Sequence, residues 1–285
     1  LHALERNQLH RAEGPGVLGM AEGVCALTGK NGKYVKSHLY PRSFYPEGEP
    51  NEHLAIVSTN PSERHRKSWV GIYDSELVIE EGEAILQKLD QKGYDILKPR
   101  ESVRELKKRA KRTFTIGSET LGVELDSGGT NDLILFLSSI LWRFHCSKRH
   151  EASKVGIGSH AEPIRKAILE ENAASLRGAE VILAKNTDTI SNSVITPAKF
   201  RLEGGLNAYE LIFGSFRVWM KCDKRKLPAD QRAYSLRVDG PLPIVLHDYT
   251  KSRSFHNFAR AAKRQMAIHG DPWKGKYKEK RTDRL

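Results

Sequence analysis

Ser37-His38-Leu39-Tyr40-Pro41-Arg42 sets an imidazole close in sequence to a guanidinium. An imidazole titrates near neutrality and can accept a proton from water, while a guanidinium can clamp a phosphate through two parallel N–H donors. A base and a cation are what phosphodiester hydrolysis requires. The bland alternative for His38 is a buried or capping side chain that only holds the chain against the next loop.

The elements that would position this histidine begin at Val24. Asn31-Gly32 reads as a two-residue hairpin turn, since both residues tolerate positive φ. Ala26-Leu27 and Lys33-Tyr34-Val35 form its arms, and the second arm runs through Ser37-His38 into Pro41, which stops a central strand. Residues 46–67 read as a long polar loop. A helix is expected from Glu80 to Gly93, with acidic residues in the first turn complementing its dipole and Ala84, Ile85 and Leu89 on its buried stripe.

The stretch from Val24 to Tyr45 resembles the His-Me finger (HNH-like) nucleases, in which a hairpin delivers a histidine into a loop as the general base. It also resembles a group of uncharacterised bacterial and phage proteins, through Cys25-x-x-Thr28-Gly29, Ser37-His38 and Pro41-Arg42. Tyr73-Asp74, Leu77-Val78, Glu81-Gly82-Glu83-x-Ile85-Leu86 and Leu141-Trp142-Arg143 extend that second likeness. The nuclease resemblance implies His38 as general base, Arg42 as a phosphate grip, and a divalent metal, Mg or Mn. Glu83 would be presented from the helix toward the histidine as a ligand, with Asp74 or His65 as further ligands. The chain departs from the pattern at Ser37, where many members carry Asp, and at Thr28, where many carry a second cysteine.

Charge points to a polyanion. Lys plus Arg number 47 against 35 for Asp plus Glu, a net charge of +12, and the pI is about 9.5. The excess clusters. A basic helix is expected from Ser102 to Arg112, exposing Arg104, Lys107, Lys108, Lys111 and Arg112, and a closing helix from Ser254 to Ile268 exposes Arg260, Lys263 and Arg264. Such faces can neutralise phosphates, although a charge run is often only a solvated surface. Nucleic acid is the expected partner, DNA ahead of RNA, with self-association left open. Three scattered cysteines argue against a disulfide framework or a zinc knuckle. No run reaches the ~20 apolar residues of a bilayer span, and a cytoplasmic setting is expected.

The rest of the chain supplies a scaffold. Asn131 to Ser147 is apolar on most sides and belongs in the middle of a core, and Pro163 opens a helix closed by Gly178. Residues 180–184, 194–202, 209–223 and 234–246 read as strands, with Phe216, Val218, Met220 and Cys222 alternating against Arg217, Trp219, Lys221 and Asp223. The expected fold is α+β: a ββα element, a helical middle, and an antiparallel β-rich half closed by a helix. The corresponding regions are a lead-in 1–23, the finger-like 24–98, the helical 99–178, the β-rich 179–270 and a basic tail 271–285. Three functions fit: a metal-dependent nuclease, a non-catalytic nucleic-acid-binding protein of the same shape, or a protein-interaction component of a phage-conflict system. No Walker-type loop indicates ATP use.

Overall fold

The computed structural model describes residues 21–45, 54–56, 66–68, 70–117, 120–126, 128–176, 180–187 and 193–270. Its elements run β1 (Glu22–Val24), β2 (Asn31–His38), β3 (Leu54–Ile56), β4 (Arg66–Ser68), β5 (Tyr73–Ile79), α1 (Glu80–Leu97) and α2 (Val103–Arg109). Then follow β6 (Arg112–Ile116), β7 (Thr120–Leu125), α3 (Thr130–Cys146), α4 (Ala161–Leu169), β8 (Val181–Asn186), β9 (Ser193–Leu202) and β10 (Leu206–Gly214). The chain continues through β11 (Phe216–Lys221), α5 (Ala229–Arg232), β12 (Leu242–His247) and α6 (Arg253–His269). The fold is mixed α and β, with a three-stranded sheet β1-β2-β5, a small β3-β4 pair and a seven-stranded sheet.

The first hairpin is real, but its turn is displaced. Asn31 and Gly32 lie in β2, paired with Val24 and Gly23. The reversal is Cys25–Lys30, closed by Cys25 N–H to Lys30 O at 2.8 Å and by Thr28 N–H to Cys25 Sγ at 3.4 Å. Gly29, at φ +74°, takes the left-handed position there. Gly23 stays in the strand because the ring of Tyr34 occupies the space its Cβ would need. Ala26 forms no hairpin arm; its N–H bonds Leu77 O of β5 at 3.0 Å.

On its other edge β2 pairs with β5 in the register Tyr34↔Ile79, Val35↔Val78, Ser37↔Asp74 and His38↔Tyr73, with an irregularity between Val35 and Ser37. The chain passes from β5 straight into α1. That helix runs to Leu97, beyond the expected end at Gly93, because Gly93 is a packing residue rather than a terminator: a Cβ there would sit 2.4 Å from the Phe136 ring on α3. Lys98, in the left-handed conformation, caps the true end.

α3 is buried along almost its whole length, as its apolar sequence demands. Tyr40 and Phe44, just past β2, pack beside it: Tyr40 lies 5.0 Å from Phe144, and Phe44 stacks 5.4 Å from Phe136. Phe213 of the large sheet meets both Tyr40 and Phe44, and Tyr40 Oη donates to Ile195 O at 2.9 Å. The chain following His38 is thereby wedged between the helices and the large sheet.

The seven-stranded sheet has the order β6-β7-β12-β8-β11-β10-β9. It is not wholly antiparallel, because β12 runs parallel to β8. Two of its strands come from the region expected to be helical. α2 ends at Arg109, so Lys111 precedes β6 and Arg112 begins it. The expected strand 209–223 is two strands folded at Gly214-Ser215, where Gly214 has φ +57°. Of the expected strand 234–246 only the end is β12. The alternation along β11 is present, yet its polar side is not solvated. Arg217 and Lys221 are buried against Glu210 and Glu180. Among the described residues no helix is long and apolar enough to cross a membrane. The described part of the helix expected from Pro163 ends at Leu169; Arg177 and Gly178 lie outside the described residues.

Candidate functional site

His38 stands at the last position of β2, half-buried, and its Nε2 lies 2.9 Å from Val70 O. A carbonyl can only accept, so Nε2 carries the proton and the neutral ring keeps its lone pair on Nδ1. Among the described residues no hydrogen bond reaches Nδ1. Burial is the main influence lowering the pKa of the ring below that of an ordinary imidazole. The Val70 bond and the Asp90 charge oppose it, and the charges of Arg42 and Arg143 add to it. The balance favours the neutral ring.

Successive residues on a strand face opposite ways, and this separates the histidine from the expected ligands. Ser37 and Asp74 are partners across β2 and β5 and are buried, facing the helices. Asp74 spends both oxygens: Oδ1 accepts from Glu76 N–H at 2.8 Å and Oδ2 from Ser147 Oγ at 2.5 Å. Glu83 also turns to this side, toward Ser37 rather than His38. Burial raises its pKa, with the Ser37 hydroxyl, the Arg143 charge and Gln87 pulling the other way. Even so, Glu83 Oε2 and Ser37 Oγ approach without closing a hydrogen bond, each buried without a partner. His65 lies outside the described residues.

The fit to a divalent ion at His38 is poor. Asp74 already accepts a hydrogen bond at each oxygen and faces the helices, Glu83 turns toward Ser37, and among the described residues no group of three His, Cys, Asp or Glu side chains gathers as ligands. Ser37, the residue before His38, offers no carboxylate.

On the outer face His38 meets Tyr73, ring centroids 6.2 Å apart and edge-on. Lys36 Nζ lies 5.2 Å from the same Tyr73 centroid and the Arg149 guanidinium 5.8 Å from it. Tyr73 is therefore bracketed by an imidazole and two cations. Lys36 makes no ion pair among the described residues, whereas Arg149 Nη2 reaches Glu151 at 3.3 Å. Arg42 is exposed and acts on the histidine through its charge.

No family model, curated protein or solved structure matches this chain. The site has to be read from its own side chains.

Behind His38, Arg143 on α3 forms a buried clamp. Its Nη1 donates to His38 O at 3.0 Å, and its two terminal nitrogens hold both oxygens of Asp90 on α1. Burial pushes the Asp90 carboxyl up, and the guanidinium counters that. Sequence reasoning missed this pair, as it missed Val70, Lys36 and Arg149. Asp90 is i+7 from Glu83 on an evident helix, the only signal that could have found it.

The other expected binding residues fall on separate elements. Arg104, Lys107 and Lys108 are exposed on α2, while Lys111 lies 3.7 Å from Asp126 and Arg112 forms a two-pronged pair with Glu124. The latter two are thus partly neutralised by β7 and the residues after it. Arg260, Lys263 and Arg264 are exposed on α6, with Arg260 Nη2 donating to Asn257 at 2.7 Å. None of these joins the ring of groups around Tyr73.

Proposed function

We propose that this chain cleaves phosphodiester bonds in nucleic acid, with His38 as the general base. The observation that carries the reading is the bond from His38 Nε2 to Val70 O, which leaves Nδ1 as the proton acceptor at the end of a strand. Arg42, whose charge reaches the imidazole, and Lys36 and Arg149 over Tyr73 supply positive charge for the phosphate. Tyr73 gives a face on which a base or sugar can rest. The order of strand, long connection, antiparallel strand and helix formed by β2, β5 and α1 supports the likeness to a His-Me finger. The net charge of +12 supports a polyanionic substrate.

The test is cleavage of plasmid DNA, single-stranded DNA and RNA by the wild-type chain and by His38→Ala, with and without Mg²⁺ or Mn²⁺. Loss of a positioned base lowers the rate roughly 10²–10⁴-fold. Cleavage that persists unchanged in His38→Ala, or an absence of cleavage on every substrate, overturns the reading.

A non-catalytic, nucleic-acid-binding role is the second reading. The engagement of Asp74 with Glu76 and Ser147 favours it, since a scaffold that has lost its metal site would look this way. Tight, salt-sensitive binding without cleavage identifies it.

A further inference from the structure

Resting on the His38 reading, we infer that the substrate is RNA and that cleavage uses the RNA's own 2′-hydroxyl rather than metal-activated water. The inference starts from the mismatch at the expected metal ligands. Asp74 and Glu83 face the helix side of the β2–β5 ribbon, Asp74 accepting from Glu76 N–H and Ser147 Oγ and Glu83 turned to Ser37, while Asp90, whose charge reaches the imidazole, is held by Arg143. On its outer face the imidazole meets the ring of Tyr73, over which Lys36 and Arg149 lie.

Such a set suits one phosphodiester chemistry better than another. DNA hydrolysis must activate an external water, a task for which a bound divalent ion supplies the charge. RNA carries its nucleophile beside the phosphorus, so proximity is already provided by the substrate. A neutral imidazole then suffices as base, and ammonium and guanidinium groups stabilise the charge that builds on the phosphoryl oxygens.

The step balances without a co-reactant. The 2′-hydroxyl gives its proton to His38 Nδ1 as the bond from 2′-oxygen to phosphorus forms. The bond from phosphorus to the 5′-oxygen breaks, and that oxygen takes a proton from water. The imidazolium returns its proton to the hydroxide so formed. The products are a 2′,3′-cyclic phosphate and a free 5′-hydroxyl.

The geometry also orients the substrate. Lys36 and Arg149 lie over the Tyr73 ring, so a base that packs on Tyr73 takes the place of one of these cations and brings its adjoining phosphates against them, with the sugar toward His38. An unpaired strand can lay a base there, whereas a duplex keeps its bases stacked internally.

The experiment uses the full chain with an end-labelled single-stranded RNA, the same RNA carrying 2′-O-methyl groups, and the DNA of the same sequence, in EDTA and in Mg²⁺ or Mn²⁺. Product ends are read by mass spectrometry. The expected result is cleavage of the unmodified RNA in EDTA, ending in 2′,3′-cyclic phosphate. The methylated RNA and the DNA stay intact, and the rate falls by roughly 10²-fold or more in His38→Ala. The blocked substrate tests the step without any protein variant, so a misfolded variant does not weaken it. His38-dependent cutting that needs a divalent ion, or that leaves 5′-phosphate ends, overturns the inference while keeping His38 as the base. Absence of His38-dependent cutting on every substrate overturns both.

Discussion

Arg143 Nη1 donates both to the backbone carbonyl of His38, at 3.0 Å, and to Asp90 Oδ2, at 3.1 Å. One buried guanidinium on α3 thus ties the end of β2 to α1 and fixes where the imidazole starts. Removing it leaves a buried carboxylate alone, which costs about 3–5 kcal/mol. Arg143→Met is expected to lower the denaturant midpoint accordingly, and Arg143→Met with Asp90→Leu to recover most of the loss. Arg143→Lys keeps a charge near Asp90 but cannot serve both partners through a planar fork. It should therefore reduce His38-dependent activity by a larger factor than its stability change alone explains. Equal stability of Arg143→Met and wild type would refute this role.

The pH profile of His38 follows from its surroundings. Burial, with Arg42 and Arg143, holds the folded pKa below the ordinary value of 6.5, so the active base form persists into mildly acidic solution. The acid limb of the rate profile is expected below pH 6.5, and Arg42→Ala should move it upward by removing a repelling charge. Stability responds with a definite sign. Below the unfolded pKa the unfolded chain takes up a proton that the native ring resists, so this contribution is complete above pH 6.5 and is lost as pH falls. His38→Gln should flatten that part of the stability curve in a urea titration series. An acid limb that Arg42→Ala shifts downward contradicts this account.

How much of this was legible in the sequence depends on whether a signal was local. The strand ending at His38 and the helix after Ile79 were visible because periodicity, Pro41 and the acidic first turn are near-neighbour effects. The displaced turn was not. Asn31-Gly32 is the stronger turn dipeptide by local rule, but the Tyr34 ring over Gly23 across the hairpin and the pairing of Tyr34 and Val35 with β5 outside it set the register. The placement of His38 at the end of a strand was legible as well. Which face each residue takes depends on the pairing of residues 37 and 74, a long-range contact that spacing does not encode. The same limit hid the Gly214-Ser215 reversal inside an otherwise continuous apolar alternation, and the parallel placement of β12 beside β8.

Lys185 provides a test of the scaffold apart from the chemistry. It is 2 % exposed, its Nζ donates to Ser215 Oγ at 2.9 Å and lies 4.4 Å from the Phe216 centroid, and among the described residues no carboxylate pairs with it directly. Burial lowers its pKa to about 8; Glu101 works against this and Arg109 with it. Below pH 8 both folded and unfolded chains hold the proton, and the native state bears the full cost, about 3 kcal/mol from a shift of this size. Between pH 8 and the ordinary 10.5 only the unfolded chain stays protonated, so stability rises with pH. Lys185→Met is expected to stabilise the fold at pH 7 by about 1–3 kcal/mol and to abolish that rise. A destabilised Lys185→Met that keeps the alkaline rise would show that another group carries it.

The cluster around Tyr73 makes a prediction that bears on the substrate interface itself. If Lys36 and Arg149 each neutralise a phosphate, binding of single-stranded RNA should weaken linearly with the logarithm of salt concentration, and each cation removed should reduce the slope by about 0.7. Lys36→Ala is the cleaner probe, since Arg149 also serves Glu151. Tyr73→Ala should behave differently. It removes a neutral stacking face, so affinity falls by about 1–3 kcal/mol while the salt slope is nearly unchanged. Lys107→Ala and Lys108→Ala on α2 are the comparison, being equally exposed cations outside the ring of groups at Tyr73. Fluorescence anisotropy titrations over a range of salt concentrations separate the two effects. A slope reduced by the α2 variants but not by Lys36→Ala would move the binding surface to α2 and leave His38 without a substrate.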